Sequence, residues 1–311
     1  MTARRRSTVA LIAALPLASA CARSGNAPAG DAHAGHDTTP ALAAATSGSV
    51  AATAGPGIPA DAEGAVARLA ASPRHGEYAM IPVGDGDSVR AWVVYPERST
   101  KAPVVIVVHE IFGLSPWVRS VADQLAADGF IAIAPDFLTG KKLPVSADSA
   151  ASVPGATDSI VAMIRTLDMG QIVRRIGAAA RYGTALPAAT TKWGVIGFCW
   201  GGTISFLTAA SFPTLSAAVP YYGGVREGID LTKARAPVLA FYGENDARVN
   251  ATLPAADSML RAAGVPFEPV VLPGAGHGFL RQQSGQNGAN AAASRQAWPR
   301  TITWFRQHLG Q

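Results

Sequence analysis

Gly197-Phe198-Cys199-Trp200-Gly201-Gly202 follows the apolar run Trp193-Gly194-Val195-Ile196 and precedes Ile204-Ser205-Phe206-Leu207, an apolar stretch that reads as helix. The order is strand, sharp turn, helix. That is the setting of a nucleophile elbow, G-x-Nu-x-G, in which the reactive residue sits at a strained tip and the glycines let strand and helix approach closely. Here the nucleophile position is held by cysteine, Cys199, and not by serine.

Outward from the elbow, strand-like and helix-like segments alternate. Residues 103–108 (Pro-Val-Val-Ile-Val-Val) form a β-branched run of the kind that makes a strand buried on both faces of a parallel sheet. Further strands are expected at 88–95, 130–134, 217–222, 237–242 and 268–272. Helices are expected at 61–71, from Ser115-Pro116 through Ala126, at 158–182 with a kink at Gly170, at 254–263 and at 291–309. Residues 137–156 carry few apolar anchors and read as a loop or partial lid. The pattern implies an α/β fold, a mostly parallel central sheet with helices on both faces and the site at the carboxyl ends of its strands.

An elbow nucleophile of this kind is followed in the chain by an acid and then a histidine. Gly243-Glu244-Asn245-Asp246 directly follows the 237–242 strand, and Pro273-Gly274-Ala275-Gly276-His277-Gly278-Phe279 follows the 268–272 strand. The chemistry needs all three residues. A free thiol of pKa about 8.5 is only a few per cent thiolate at neutral pH, so His277 must take its proton or hold it as an ion pair. Asp246 would orient the imidazole and stabilise its charged form. The oxyanion would be met by the Trp200 backbone N–H and by a second amide from the loop after residues 103–108, that of Ile111.

These residues resemble the dienelactone hydrolase family over residues 72–309. The resemblance is carried by Val107-Val108-His109-Glu110-Ile111-Phe112-Gly113, Pro135-Asp136, the cysteine elbow, Gly243-Glu244-Asn245-Asp246 and the His277 loop. It implies an α/β-hydrolase fold, a Cys-His-Asp triad, no metal or organic cofactor, and hydrolysis of small esters or lactones, the type substrate being an enol-lactone bearing a carboxylate. It further implies that Glu110 interacts with the resting thiol and helps generate the thiolate, and that Arg281 binds the substrate carboxylate. His109 reads as a structural residue of the oxyanion loop. The family's second carboxylate-binding arginine has no match, because residues 137–156 offer Lys141 and Lys142 and the next arginine is Arg165.

The amino terminus reads as a bacterial secretory signal over residues 1–20. Arg4, Arg5 and Arg6 precede an apolar run from Val9 to Leu17, and Ala18-Ser19-Ala20 stands before Cys21. Leu17-Ala18-Ser19-Ala20-Cys21 resembles a lipobox, which would make Cys21 an acylated membrane anchor; plain cleavage after Ala20 is the alternative. A twin-arginine signal is a weaker reading, and the run is shorter than a membrane span. Residues 22–60 are rich in Ala, Gly, Thr, Ser and Pro and read as a tether, leaving residues 61–311 as the catalytic domain. His33 and His36 in the tether lack the supporting groups a metal site needs.

Composition excludes other classes. The 311 residues are 49% hydrophobic, ample for a large core, and the formal charge is +5. Subtracting Arg4, Arg5 and Arg6 from the 26 Lys+Arg leaves 23 against 21 Asp+Glu, or +2. No basic cluster interleaved with aromatics marks a nucleic-acid surface. The chain has two cysteines, Cys21 and Cys199, so acylation of Cys21 would leave Cys199 a lone thiol in an oxidising compartment. Two other functions stay open: a non-catalytic surface-displayed binding protein on the same fold, and an acyltransferase or thioesterase using the same triad.

Overall fold

The computed structural model describes residues 57–143 and 155–310. The expected signal, Cys21, the His33/His36 pair, most of the tether and residues 144–154 of the expected lid lie outside the described residues. Ile58 and Ala60 are already buried, and the Trp117 indole N–H donates to the Ala60 carbonyl at 3.1 Å. The packed chain therefore starts slightly before residue 61.

Eight strands form one sheet: β1 (Gly76–Gly84), β2 (Asp87–Val94), β3 (Ala102–Val108), β4 (Ile131–Pro135), β5 (Ala189–Phe198), β6 (Ala217–Tyr221), β7 (Val238–Gly243) and β8 (Phe267–Leu272). Their spatial order is β1-β2-β4-β3-β5-β6-β7-β8. β1 pairs antiparallel with β2, and β2 antiparallel with β4, whereas all remaining pairs are parallel. The helices are α1 (Ala65–Ala70), α2 (Pro116–Ala127), α3 (Ala156–Arg165), α4 (Met169–Ala185), α5 (Trp200–Ser211), α6 (Ala247–Asn250), α7 (Leu253–Ala262) and α8 (Ala289–Leu309).

Strand periodicity assigns the two cores. Along β3, Val104, Ile106 and Val108 face one layer and Val105 and Val107 the other. The first layer is closed by α3, α4, α5 and α7 through Ile160, Ile172, Phe206 and Leu260. The second is closed by α2 and α8 through Val121, Trp298 and Phe305. Burial on both faces explains why β3 and β4 consist of buried residues throughout.

Four expectations need correction. The helix expected over 158–182 is two helices, and Gly170 is not a kink but the second residue of α4. The break lies at Thr166-Leu167-Asp168, where the Asp168 carboxylate accepts from the Gln171 N–H at 2.7 Å and caps α4. Strand β1 and the one-turn helix α6 were not expected. β1 is an edge strand whose only fully buried residue is Ile81, so it carries no apolar alternation. The helix expected at 61–71 is helical only from Ala65, because the Asp61 carboxylate holds the Gly64 N–H in a preceding turn at 2.8 Å. Finally, the start of the expected lid is anchored: Phe137 and Leu138 are buried in the core.

Candidate active site

The carboxyl ends of β3, β5, β6, β7 and β8 converge on Cys199. β5 delivers it, and α5 begins at the next residue. Cys199 has φ 56° and ψ −114°, a conformation costly for a side chain with a Cβ. It is held there from both sides: its N–H donates to the Tyr221 carbonyl at 3.1 Å, and its carbonyl accepts from Thr203 N–H at 3.2 Å. The glycines permit this. A Cβ on Gly197 would strike the Gly201 backbone, and one on Gly201 would strike the Val108 and His109 carbonyls.

Behind Cys199 the acid and base meet as expected. His277 Nδ1 and Asp246 Oδ2 are 2.5 Å apart, and His277 lines the same cavity as Cys199. Asp246 sits beyond the end of β7, 7% exposed, and its second oxygen, Oδ1, accepts from the Val249 N–H at 3.4 Å to cap α6. One carboxylate thus fixes the helix and orients the imidazole. Burial pushes the His277 pKa down, but the hydrogen bond to Asp246 and the neighbouring Cys199 outweigh it and raise it to about 10.

A cavity of about 40 Å³ opens over the thiol, lined by Cys199, His277, Trp200, Ile111, Thr203 and Tyr222 among others. Trp200 is the first residue of α5, and a first-turn N–H has no intrahelical acceptor. It can therefore face the cavity as a donor. The loop carrying Ile111 is fixed by His109, whose Nδ1 lies 2.7 Å from the Glu110 carbonyl and whose Nε2 accepts from the Phe137 N–H at 3.3 Å. Nδ1 must then carry the proton, and burial pushes the His109 pKa down, keeping the ring neutral. Its ring stacks on Trp200 with centroids 5.5 Å apart. His109 is structural, as the sequence indicated.

Glu110 and Arg281 are brought together, though not in the expected way. Arg281 Nε lies 3.2 Å from Glu110 Oε2 and its guanidinium covers the Phe112 ring at 4.6 Å. The pair is close enough for a strong Coulombic contact but misaligned for a hydrogen bond, leaving both atoms without one among the described residues. Glu110 is 3% exposed, and burial raises its pKa to about 7 against the opposing pull of Arg281 and His277. Arg281 is not among the cavity-lining residues. Its guanidinium contacts Glu110 and the Phe112 ring instead.

The cavity residues missed from sequence include Tyr222, Arg226 and Arg248. Tyr222, directly after β6, is fully buried, has φ 38°, presents its ring edge to His277 at 5.2 Å, and its hydroxyl has no partner among the described residues. Arg226 and Arg248 line the cavity too. All three follow the carboxyl ends of strands, the one signal that could have found them. Among the described residues no group of three or more His, Cys, Asp or Glu could hold a metal.

Residues 89–309 match the model of the dienelactone hydrolase family. The chain is 32% identical over 238 residues to a Salmonella typhimurium protein named "Putative carboxymethylenebutenolidase", covering 73% of this chain and 85% of that one. An Escherichia coli protein of the same name is 31% identical over 246 residues, covering 75% and 88%. Among solved structures, a "Putative Dienelactone Hydrolase" from Klebsiella pneumoniae is 28% identical with a TM-score of 0.65, covering 75% of this chain and 99% of that one.

Proposed function

The chain belongs to the dienelactone hydrolase family and is a hydrolase of ester or lactone type, and from that premise we propose that it works through a Cys199-His277-Asp246 triad and an acyl-enzyme. The observation that carries the reading is the strained thiol at the elbow, sharing one cavity with an imidazole that is itself held by a buried carboxylate.

In this mechanism the Cys199 sulfur attacks the substrate carbonyl while His277 holds the thiol proton. The C=O becomes a tetrahedral oxyanion beside the Trp200 and Ile111 amides. Collapse breaks the C–O bond, and His277 gives its proton to the departing alkoxide or enolate, leaving a thioester on Cys199. His277, neutral again, takes a proton from water as it attacks the thioester, and the second collapse releases the acid and restores thiol and base. Asp246 keeps Nδ1 protonated through both halves, so the other ring nitrogen shuttles the proton. With a pKa raised to about 10, His277 is an imidazolium at neutral pH, paired with the Asp246 carboxylate. Glu110, with its pKa near 7 in the vicinity of that pair, biases the charge of the imidazolium according to its own ionisation.

The test is hydrolysis of a chromogenic short-chain ester by wild type and Cys199→Ala. Loss of at least about 10³-fold in kcat/KM is expected, since removing the nucleophile leaves only binding and oxyanion stabilisation. Equal rates would sink the reading. We propose further that the enzyme is exported and tethered to a membrane through acylated Cys21. Palmitate labelling of the full chain, absent in Cys21→Ala, is the expected result; label retained in that variant would refute the anchor.

A further inference from the structure

Arg175 is the one lysine or arginine that is buried among the described residues. It stands on α4 between Ile172 and Ile176, on the face that closes the first core. A guanidinium is tolerated there only if its N–H groups find acceptors. They do. Its Nε and Nη2 meet the two carboxylate oxygens of Asp87 at 3.1 and 2.7 Å, a bidentate pair. Its Nη1 donates to the Phe137 carbonyl at 3.0 Å, and Nη2 donates also to the Thr139 carbonyl at 3.2 Å. Asp87 opens β2 and the two carbonyls lie in the loop beyond β4, so one side chain joins three segments. A buried pair of this kind is weak evidence for stability, because apolar residues of similar volume often serve as well. What it does is fix the Phe137 carbonyl in place.

Phe137 passes that constraint to the elbow. Its own N–H donates to His109 Nε2 at 3.3 Å, and His109 in turn donates from Nδ1 to the Glu110 carbonyl at 2.7 Å. That carbonyl belongs to the same trans peptide plane as the Ile111 N–H, and the two point in opposite directions. Fixing one aims the other. The Phe137 ring also meets the Trp200 indole edge to face with centroids 5.8 Å apart, and the His109 ring stacks on the same indole. The residues that carry both oxyanion donors are therefore braced against Phe137.

We propose that Arg175 is a positioning residue for the reaction: through Phe137 and His109 it sets the direction of the Ile111 N–H at the oxyanion, although it does not itself line the catalytic cavity. The proposal rests on the hydrolase reading above. Losing an oxyanion donor outright costs about 10²–10³-fold in rate, and turning one away costs part of that, so a loss of about tenfold is expected. The donor acts on charge that develops only in the transition state. Ground-state affinity for the ester is therefore spared.

The experiment measures single-turnover acylation of Cys199 by 4-nitrophenyl butyrate, per active thiol counted with iodoacetamide, in the full chain and its variants. Arg175→Lys keeps the charge, but an ammonium cannot serve Asp87 and both carbonyls in one plane. Its maximal acylation rate should fall about tenfold at an unchanged half-saturating ester concentration. Asp87→Asn, at a half-buried position, is the milder second variant and should lower the same rate constant. His109→Gln, whose amide keeps one donor and one acceptor, should lose less than His109→Leu. Because Arg175 acts through His109, the Arg175→Lys/His109→Leu double variant should lose no more than His109→Leu alone. Ile176→Val, next to Arg175 on α4, loosens the core without touching these hydrogen bonds and should acylate at the wild-type rate. Wild-type rates in both Arg175→Lys and Asp87→Asn, a loss confined to the half-saturating concentration, or losses that multiply in the double variant would overturn the proposal. If the wild type still acylates Cys199 in that case, the hydrolase reading stands and only the positioning role falls. A wild type that never acylates Cys199 removes both.

Discussion

At the scale of single residues, Glu110 is the most unusual group in the molecule: a carboxyl 3% exposed, facing one misaligned arginine, with its pKa raised to about 7. A carboxyl whose folded pKa lies above its ordinary 4.5 binds its proton more tightly in the folded state, so its contribution to stability is full below 4.5. That contribution is lost as pH rises through 7. Glutamine at this position does not titrate. Urea unfolding of wild type and Glu110→Gln between pH 4.5 and 8 should therefore show the wild type losing up to roughly 3 kcal/mol relative to the variant. Parallel pH profiles would contradict the burial argument. The grouping of Cys199, Asp246 and His277 was legible in the sequence because each lies shortly after the carboxyl end of a strand, where this fold collects its chemistry. The contact of Arg281 with Glu110 was not legible, because the short spacing of Arg281 from His277 gives proximity but says nothing about its partner. Glu110 is far away in the chain, and only the assembled sheet puts the two together.

The elements show what local pattern can and cannot specify. β3, β5 and β7 were legible because strands buried on both faces need continuous apolar runs. β1 was not, since its apolar residues Ala79, Met80, Ile81 and Val83 fall on both faces without alternation and the strand is defined by its pairing with β2. The split between α3 and α4 was missed because the apolar spacing runs nearly unbroken across Thr166 to Asp168, and the deciding interaction is a side-chain cap, Asp168 to Gln171. The elbow makes the sharpest prediction at this scale. A Cβ on Gly201 would lie 2.6 Å from the His109 carbonyl and would also strike the Val108 carbonyl, both at the start of the oxyanion loop. Gly201→Ala should destabilise the protein by about 2 kcal/mol or more through overpacking, and should lower kcat by displacing that loop. Chemical denaturation and steady-state kinetics read the two effects separately. An active variant of wild-type stability would show that α5 and β3 are not packed as closely as described.

For the molecule as a whole, the sheet order follows from the alternation of strands and helices only in its parallel part. The antiparallel edge of β1 and β2 comes from chain outside that alternation. One side of the sheet depends on the last helix, which closes it by setting Phe305 against Gly194 and Trp298 beside Val121 and its neighbours in the second core. The Trp298 indole also donates to Asp128 at 2.9 Å, linking α8 to the end of α2. Trp298→Ala should cost about 3–5 kcal/mol, checked by denaturant unfolding; a cost under 1 kcal/mol would mean α8 is peripheral to the core. This architecture places one thiol, that of Cys199, at a strained turn. The most direct measurement is rapid-quench mass spectrometry of the enzyme mixed with a chromogenic ester, followed by peptide mapping. The predicted result is a transient mass increase equal to the acyl group, located on the peptide containing Cys199 and absent in Cys199→Ala. An acyl group on any other residue, or turnover with no adduct at Cys199 while a burst of chromophore is released, would contradict it.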